Sequence, residues 1–358
     1  MKLAVPSDMS DRGANTGSKV LLLNSSDQQQ TGRSGYPAII ADLRNAEEIN
    51  VPRQRCDSLT ERVGRKLLRT VAACSWVDIS SFRLELTARR RWAEFDIVHL
   101  LWADRDWCLI DRLLPTDKRL VGTFHACDDD FGSIIRNPRR LRRFDAIILM
   151  SETQRENFIG AGVDPQRLHV IRHGIDTHHF QPGRKADDGT FRLLHVGSYR
   201  RDFDVLYEAC LGLTDESNIR IQLLTAPAVA ERFSALPNVD ILPRLSDEEL
   251  LKAYQSNDCL LMTATGATAN NAILEGMACG LPVITQEVGG IPEYVTTDCG
   301  ILCDPESPSK LASAIKGLAF DRDRGVAMGK AARQQAELLD WKHVAVLTDE
   351  VYSGLVGP

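Results

Sequence analysis

No apolar stretch in this 358-residue chain approaches the roughly 18 residues a membrane-spanning helix needs. The longest runs, KVLLLN, IVHLLW, AIILM and CLLM, are strand-sized. The first seventeen residues, MKLAVPSDMSDRGANTG, lack a basic region followed by an apolar one. They read as a loose polar tail rather than a secretory signal. The nine cysteines include no C-x-x-C pair, and Cys299 and Cys303 are the closest two. Buried thiols in a reducing cytoplasm are therefore expected, without a zinc site. Also missing is a G-x-G-x-x-G that follows a strand and opens a helix, since Gly13 and Gly17 precede the first strand. The phosphate-loop pattern G-x-x-x-x-G-K-[ST] is absent too. Dinucleotide oxidoreductases and P-loop nucleotidases are thereby disfavoured. No nucleic-acid partner is expected.

What is present is an average globular composition, 43% hydrophobic and 26% charged. The length favours two domains. Charge is divided unevenly. Residues 1–180 hold 27 Lys and Arg against 24 Asp and Glu, and the remainder holds 16 against 25. Dense arginines occur at Arg89–Arg91 and from Arg136 to Arg143. Such a patch suits an anionic or lipid-linked acceptor or the inner face of a membrane, or else it is a solvated helix face.

Short strand-like runs alternate with helix-length amphipathic segments, which signals α/β architecture with mainly parallel sheets. The pattern restarts after the polar stretch HHFQPGRKADDGT (His178–Thr190). We therefore expect a tail over 1–17, one Rossmann-like domain over 18–177 and a second over 178–340. The segment 341–358 is expected to return as a helix to the first domain. Two doubly wound domains facing across a cleft would hold ligands at the carboxyl ends of their strands.

The most informative segment is TATGATANNAILEGMACGLPVITQEVGGIPEY (Thr263–Tyr294). A strand ends near Thr263, and a turn leads into an almost wholly apolar helix predicted to run to about Cys279. A helix of that kind is buried on most sides. Thr268, Asn271 and Glu275 stand at i, i+3 and i+7, one polar stripe on it. A buried carboxylate is costly without a partner, so Glu275 needs ligand hydroxyls, a backbone N–H or an arginine. The helix N-terminus just upstream suits a phosphate.

EGMACGLPVI (Glu275–Ile284) and GGIPE (Gly289–Glu293) resemble the signature of family-4 glycosyltransferases, also called group 1, which have the GT-B fold. The resemblance extends to HVGSYRRDFDVLYEA (His195–Ala209), LSDEELLKAYQSNDCLLM (Leu245–Met262), RHGIDTHHFQP (Arg172–Pro182) and the tail from Gly300 to Tyr352. In the first half FDIVHLLW, VGTFH and FDAIILMSETQRENFIGAGV share the family's rhythm. The family's glycine loop after the first strand is replaced by SSDQQQTGRSGYP, leaving Gly32 or Gly35 to serve.

The resemblance implies a retaining hexosyltransferase that uses a UDP- or GDP-sugar, with no metal and no cofactor. Glu275 would bind the donor ribose. Gly197 would form the glycine loop, and Arg200 or Arg201 would neutralise the leaving diphosphate. Thr268, Ala269, Asn270 and Asn271 would line the phosphate end, Thr268 or Asn270 doubling as a plain helix cap. Arg244 lies in the loop that seats the base. His125 falls where the family places a histidine near the reacting centre, and Asp128 would either orient the acceptor or belong to a solvated loop. The run Asp128–Asp130 is not expected to converge on a metal. One departure stands out. The family's E-x7-E pairing requires an acid at position 267, which here is Ala267. A transferase-like binding subunit is therefore the first rival reading, and a sugar-nucleotide epimerase the second.

Overall fold

Runs of Val, Ile and Leu without polar interruption suit strands covered on both faces, the usual state of a parallel sheet. The computed structural model describes residues 17–25, 35–53 and 59–356, so Gly32 lies outside the described residues. The chain divides into two units. One holds the residues up to Gly174 together with Trp341 onward, and the other is Ile175–Asp340. Each is a Rossmann-like α/β unit built on a six-stranded sheet.

In the first unit β1 (Val20–Asn24), β2 (Ala46–Asn50), β3 (Ile97–Leu100), β4 (Arg119–Phe124), β5 (Ala146–Leu149) and β6 (Leu168–Val170) pair in parallel, in the order β2-β1-β3-β4-β5-β6. In the second, β7 (Phe191–Val196), β8 (Ile219–Leu224), β9 (Val239–Ile241), β10 (Cys259–Met262), β11 (Val283–Gln286) and β12 (Gly300–Cys303) also pair in parallel. Their order is β12-β11-β10-β7-β8-β9. The order reverses between β1 and β3 and between β7 and β10. Ligands of doubly wound sheets sit beyond the carboxyl ends of the strands at such a reversal.

The core of the first unit lies under Leu21, Leu23, Val98, Leu100, Trp107, Phe124 and Phe144. The second unit carries one apolar cluster around Leu260, Leu274 and Met277 and another around Leu206, Leu261 and Ile315.

The second unit begins at Ile175, three residues before the expected His178. The cause is local bonding. The Ile175 N–H donates to the Leu339 carbonyl at 2.9 Å, and the Thr177 hydroxyl bonds the Asp340 carboxylate. The helix Trp341–Val356 belongs to the first unit through a buried polar chain. Its Tyr352 hydroxyl lies 2.6 Å from His99 Nδ1, His99 Nε2 lies 2.8 Å from Thr123 Oγ1, and Thr123 lies 3.3 Å from the Tyr36 hydroxyl.

The arginine stretch differs from the expectation of one basic surface. Pro138–Arg143 is a 3₁₀ helix in which Arg140 is buried, its Nε 2.8 Å from the Asp111 carboxylate. Arg143 pairs with Asp145 at 3.3 Å, which leaves Arg136, Arg139 and Arg142 exposed. A buried arginine held by a carboxylate is part of the structure rather than of a contact surface. Among the described residues no helix is long and apolar enough to cross a membrane.

Candidate functional site

β7 ends at Val196 and the next residue turns sharply. Gly197 has φ 96°, a left-handed conformation that side chains disfavour, and a Cβ there would also stand 3.1 Å from Arg201 Nη2. Asp202 ends the loop by capping the helix Phe203–Leu211, its carboxylate accepting from the backbone of Asp204 at 3.1 Å and Val205 at 2.9 Å. The Asp202 N–H donates to the Thr263 carbonyl at 2.7 Å, which pins the loop to the end of β10. The loop thus sits at the point where the strand order reverses.

Two adjacent arginines leave this loop in different ways. Arg200 adopts φ 51°, unusual for a residue with a side chain, and its guanidinium lies against Gly266, where an added Cβ would displace it. Arg201 folds inward. Its Nη1 donates to the Tyr199 carbonyl at 2.9 Å, and its Nε and Nη2 each approach the Val196 carbonyl at 3.3 Å. Nη2 is 3.5 Å from Asn270 Oδ1. Burial lowers its pKa to about 10, so it remains a cation at neutral pH. Gly197, Arg201 and Asn270 are therefore brought together.

The apolar helix is shorter than the sequence predicts and spans Asn271–Ala278. Asn270 caps it, its Oδ1 accepting from the Ile273 N–H at 3.3 Å. Thr268 is buried but precedes the helix, so it leaves the polar stripe that spacing assigned to it. Ala269 packs beside the core, and Asn271 forms the first turn. Glu275 is 5% exposed, and the Tyr254 hydroxyl donates to its Oε2 at 2.6 Å. Sequence reasoning missed Tyr254. Its signal was its place in LSDEELLKAYQSNDCLLM (Leu245–Met262), a segment that resembles the family but in which no role was read for the tyrosine. Arg244 is exposed in the loop after β9. Ala267 is buried, and its carbonyl accepts from the Gly290 N–H at 2.7 Å. Gly289 has φ 51°, and a Cβ there would stand 2.5 Å from that carbonyl oxygen, so only glycine fits beside Ala267.

His125 belongs to the first unit, at the end of β4. Its backbone N–H and that of Ala126 donate to Asp104 Oδ2 at 2.9 and 2.6 Å. From the other side Gln154 Nε2 donates to the carbonyls of Phe124 at 3.0 Å and Ala126 at 2.9 Å. The imidazole stacks on Trp102 with centroids 3.8 Å apart, and Tyr36 meets it edge-on at 4.8 Å. His125 Nε2 is 2.8 Å from the Leu101 carbonyl, which can only accept, so Nε2 carries the proton. Burial holds the ring well below its usual pKa, and it is neutral. Burial also pushes Asp104 up to about 6. Neither Asp104 nor Trp102 was visible as a partner of His125 in the sequence.

Asp128 is exposed, and its carbonyl accepts from Asn157 at 2.8 Å. Cys127, Asp129 and Asp130 place their ligand atoms within 4.8 Å of one another. Asp128 is not among them, so the three adjacent carboxylates do not converge together, and the thiol of Cys127 takes the third place. A thiol beside two solvent-facing carboxylates mixes soft and hard donors, and we assign no ion to it.

The two units differ in their response to acid. In the first, burial lowers His99 to about 3, His173 to about 4 and His125 well below its usual value, but raises Glu85 to about 8, Asp104 and Asp349 to about 6, and Asp106 as well. Histidines kept neutral in the fold cost stability as pH falls below about 6.5, whereas raised carboxyls cost stability as pH rises through their folded values. The two signs offset. In the second unit His195 falls to about 3 with no raised carboxyl against it among the resolved shifts, and the Glu249 and Asp304 carboxyls are lowered. All of these lose stability in acid, His195 alone by about 3 kcal/mol at pH ~4.5. All five tryptophans lie in the first unit. Between pH 7 and ~4.5 the urea midpoint followed by circular dichroism should therefore fall further than that followed by tryptophan fluorescence. Equal shifts would contradict the assignment.

Residues 43–179 match the family model described as Glycosyltransferase Family 4, and residues 190–321 match Glycosyl transferases group 1. The chain belongs to the family-4, group 1 glycosyltransferases of GT-B fold. It is similar to a sulfoquinovosyl transferase of Arabidopsis thaliana, 26% identical over 240 residues that make up 60% of this chain and 46% of that protein. An alpha-maltose-1-phosphate synthase of Mycolicibacterium smegmatis is 29% identical over 248 residues, 58% of this chain and 62% of that protein. The chain thus spans about half the length of these relatives. Among solved structures, Anabaena HepE in complex with UDP and glucose has a TM-score of 0.67 at 17% identity, over 94% of this chain and all of that one.

Proposed function

We propose that the chain is a retaining, metal-independent hexosyltransferase that moves a sugar from UDP or GDP to an acceptor hydroxyl. The observation that carries this reading is the Arg201 guanidinium, held inward between the Gly197 turn and the Asn270 cap at the strand-order reversal. A fixed cation beside a helix N-terminus is suited to a diphosphate and to the charge that grows on it as the glycosidic bond breaks. Glu275, one turn along the same helix, is the ribose anchor.

In the step proposed, the acceptor oxygen bonds to the anomeric carbon from the face the diphosphate leaves. The C–O bond to phosphate breaks, and the departing phosphate oxygen takes the acceptor proton. The neutral His125 ring is assigned a catalytic role near the reacting centre. Arg136, Arg139 and Arg142 are the exposed cations available to an anionic or lipid-linked acceptor or to a membrane surface.

Ala267 favours a second reading, a binding subunit that holds the nucleotide without turnover. Thermal-shift titration with UDP, GDP and ADP, followed by release of nucleotide from their sugars, separates the readings. UDP or GDP should raise the midpoint by several degrees at saturating concentration. If no nucleotide moves it, the donor site is wrong. If nucleotide binds but no sugar is ever released or transferred, the subunit reading replaces the enzyme.

A further inference from the structure

The Glu275 carboxylate does not stand alone in its apolar surroundings. Ala272, Ile273, Leu274 and Met277 of its own helix are buried and offer no side-chain donor, and one donor reaches it from another element. That donor is Tyr254, on the helix Asp247–Ser256, whose start is fixed by a reciprocal cap between Ser246 and Glu249. Tyr254 is fully buried, and its ring meets Phe180 edge-on at 6.2 Å. The phenol therefore has little freedom. Burial, then the charge of Glu275, raises its pKa well above 10, so it remains a proton donor at every physiological pH. The Arg201 charge acts on the same hydroxyl in the opposite sense and more weakly.

We infer that Tyr254 is a positioning residue for nucleotide binding: its hydroxyl holds Glu275 Oε2 at 2.6 Å and so fixes the carboxylate plane for contact with the ribose diol through Oε1. The inference rests on the ribose-anchor reading of Glu275. A glutamate carboxylate on three rotatable bonds would otherwise spread its oxygens over several orientations, and holding it in one removes that loss on binding. A rigid support behind the contacting group is the general way a binding site gains precision. The phenol acts on the ribose end alone. Its removal should weaken uridine and UDP equally, because the phosphates are held elsewhere.

Tyr254→Phe keeps the ring and deletes only the hydroxyl. Its dissociation constant for UDP, or for GDP if that nucleotide binds instead, should rise about 10-fold, as expected for one hydrogen bond to a charged group. The KM for the sugar donor should rise alike, with kcat within about twofold, and the thermal midpoint should move by only a few degrees. A thermodynamic cycle with Glu275→Ala isolates the pair: in that background Tyr254→Phe should change affinity by less than about twofold. A lowered midpoint with unchanged affinity would make the hydroxyl structural and overturn the inference. So would an equal loss of affinity in both backgrounds. If Glu275→Ala itself binds UDP and GDP like the parent, the ribose-anchor reading fails first, and the inference with it.

Discussion

Glu275→Ala should bind UDP or GDP about 100-fold more weakly than the parent, the largest loss of affinity expected from any single change in the second unit. Two hydrogen bonds from a ribose diol to a carboxylate, each contributing about 1.5–3 kcal/mol, account for that factor. The fold will also respond, because the Tyr254 hydroxyl loses its acceptor inside an apolar cluster. An orphaned buried donor costs about 1–3 kcal/mol, or a fall of several degrees in midpoint for a unit of this size. Glu275→Gln separates the two effects. Its carbonyl still accepts from the phenol, so the midpoint should stay near that of the parent while affinity drops about 10-fold with the lost charge. Isothermal titration with the free nucleotide measures both variants. Parent-like affinity in Glu275→Ala would end the ribose assignment.

Arg201→Ala should lower kcat by about 100- to 1000-fold, the range for removing one preorganised group from a developing anion. Arg201→Lys should recover part of this, since it restores charge without the planar fork. Arg200→Ala should stay within about fivefold of the parent. Arg200→Gly should raise the thermal midpoint slightly, because glycine takes φ 51° without the strain an arginine bears there. Single-turnover rates with saturating donor are the measurement. Equally small losses at both arginines would remove the leaving-group role. A large loss at Arg200 alone would exchange the two assignments.

Sequence and structure agree where a residue's neighbours in space are also its neighbours in the chain. VLLLN, AIIL and CLLM announce buried strands because nothing polar interrupts them. AEEIN in β2 and VDI in β9 do not, since both are edge strands whose outer residues meet water. The helix Ile79–Arg89 also escaped the periodicity. It buries Glu85 and two serines, and Asp78 rather than an apolar stripe marks its start. At the site, Glu275 is legible because a lone carboxylate in an apolar helix demands a partner. Tyr254 is not, because that partner comes from a helix 21 residues earlier. Likewise RR implies one arginine at the diphosphate but does not say which. Only the backbone torsion at Arg200 turns one guanidinium inward and sends the other along Gly266.

The helix Trp341–Val356 completes a unit whose other elements are all made before residue 175. On the ribosome, the second unit can therefore finish folding while the first still lacks its last wall. Until that wall emerges, His99 has no Tyr352 to bond, and the face of Tyr36 that Trp341 will cover is bare. At synthesis rates of about 5–20 residues per second, the interval from Gly174 to Val356 is on the order of ten seconds or more. For that time a nascent half-built sheet depends on chaperones or on its own solubility, so the order of assembly runs against the order of the chain.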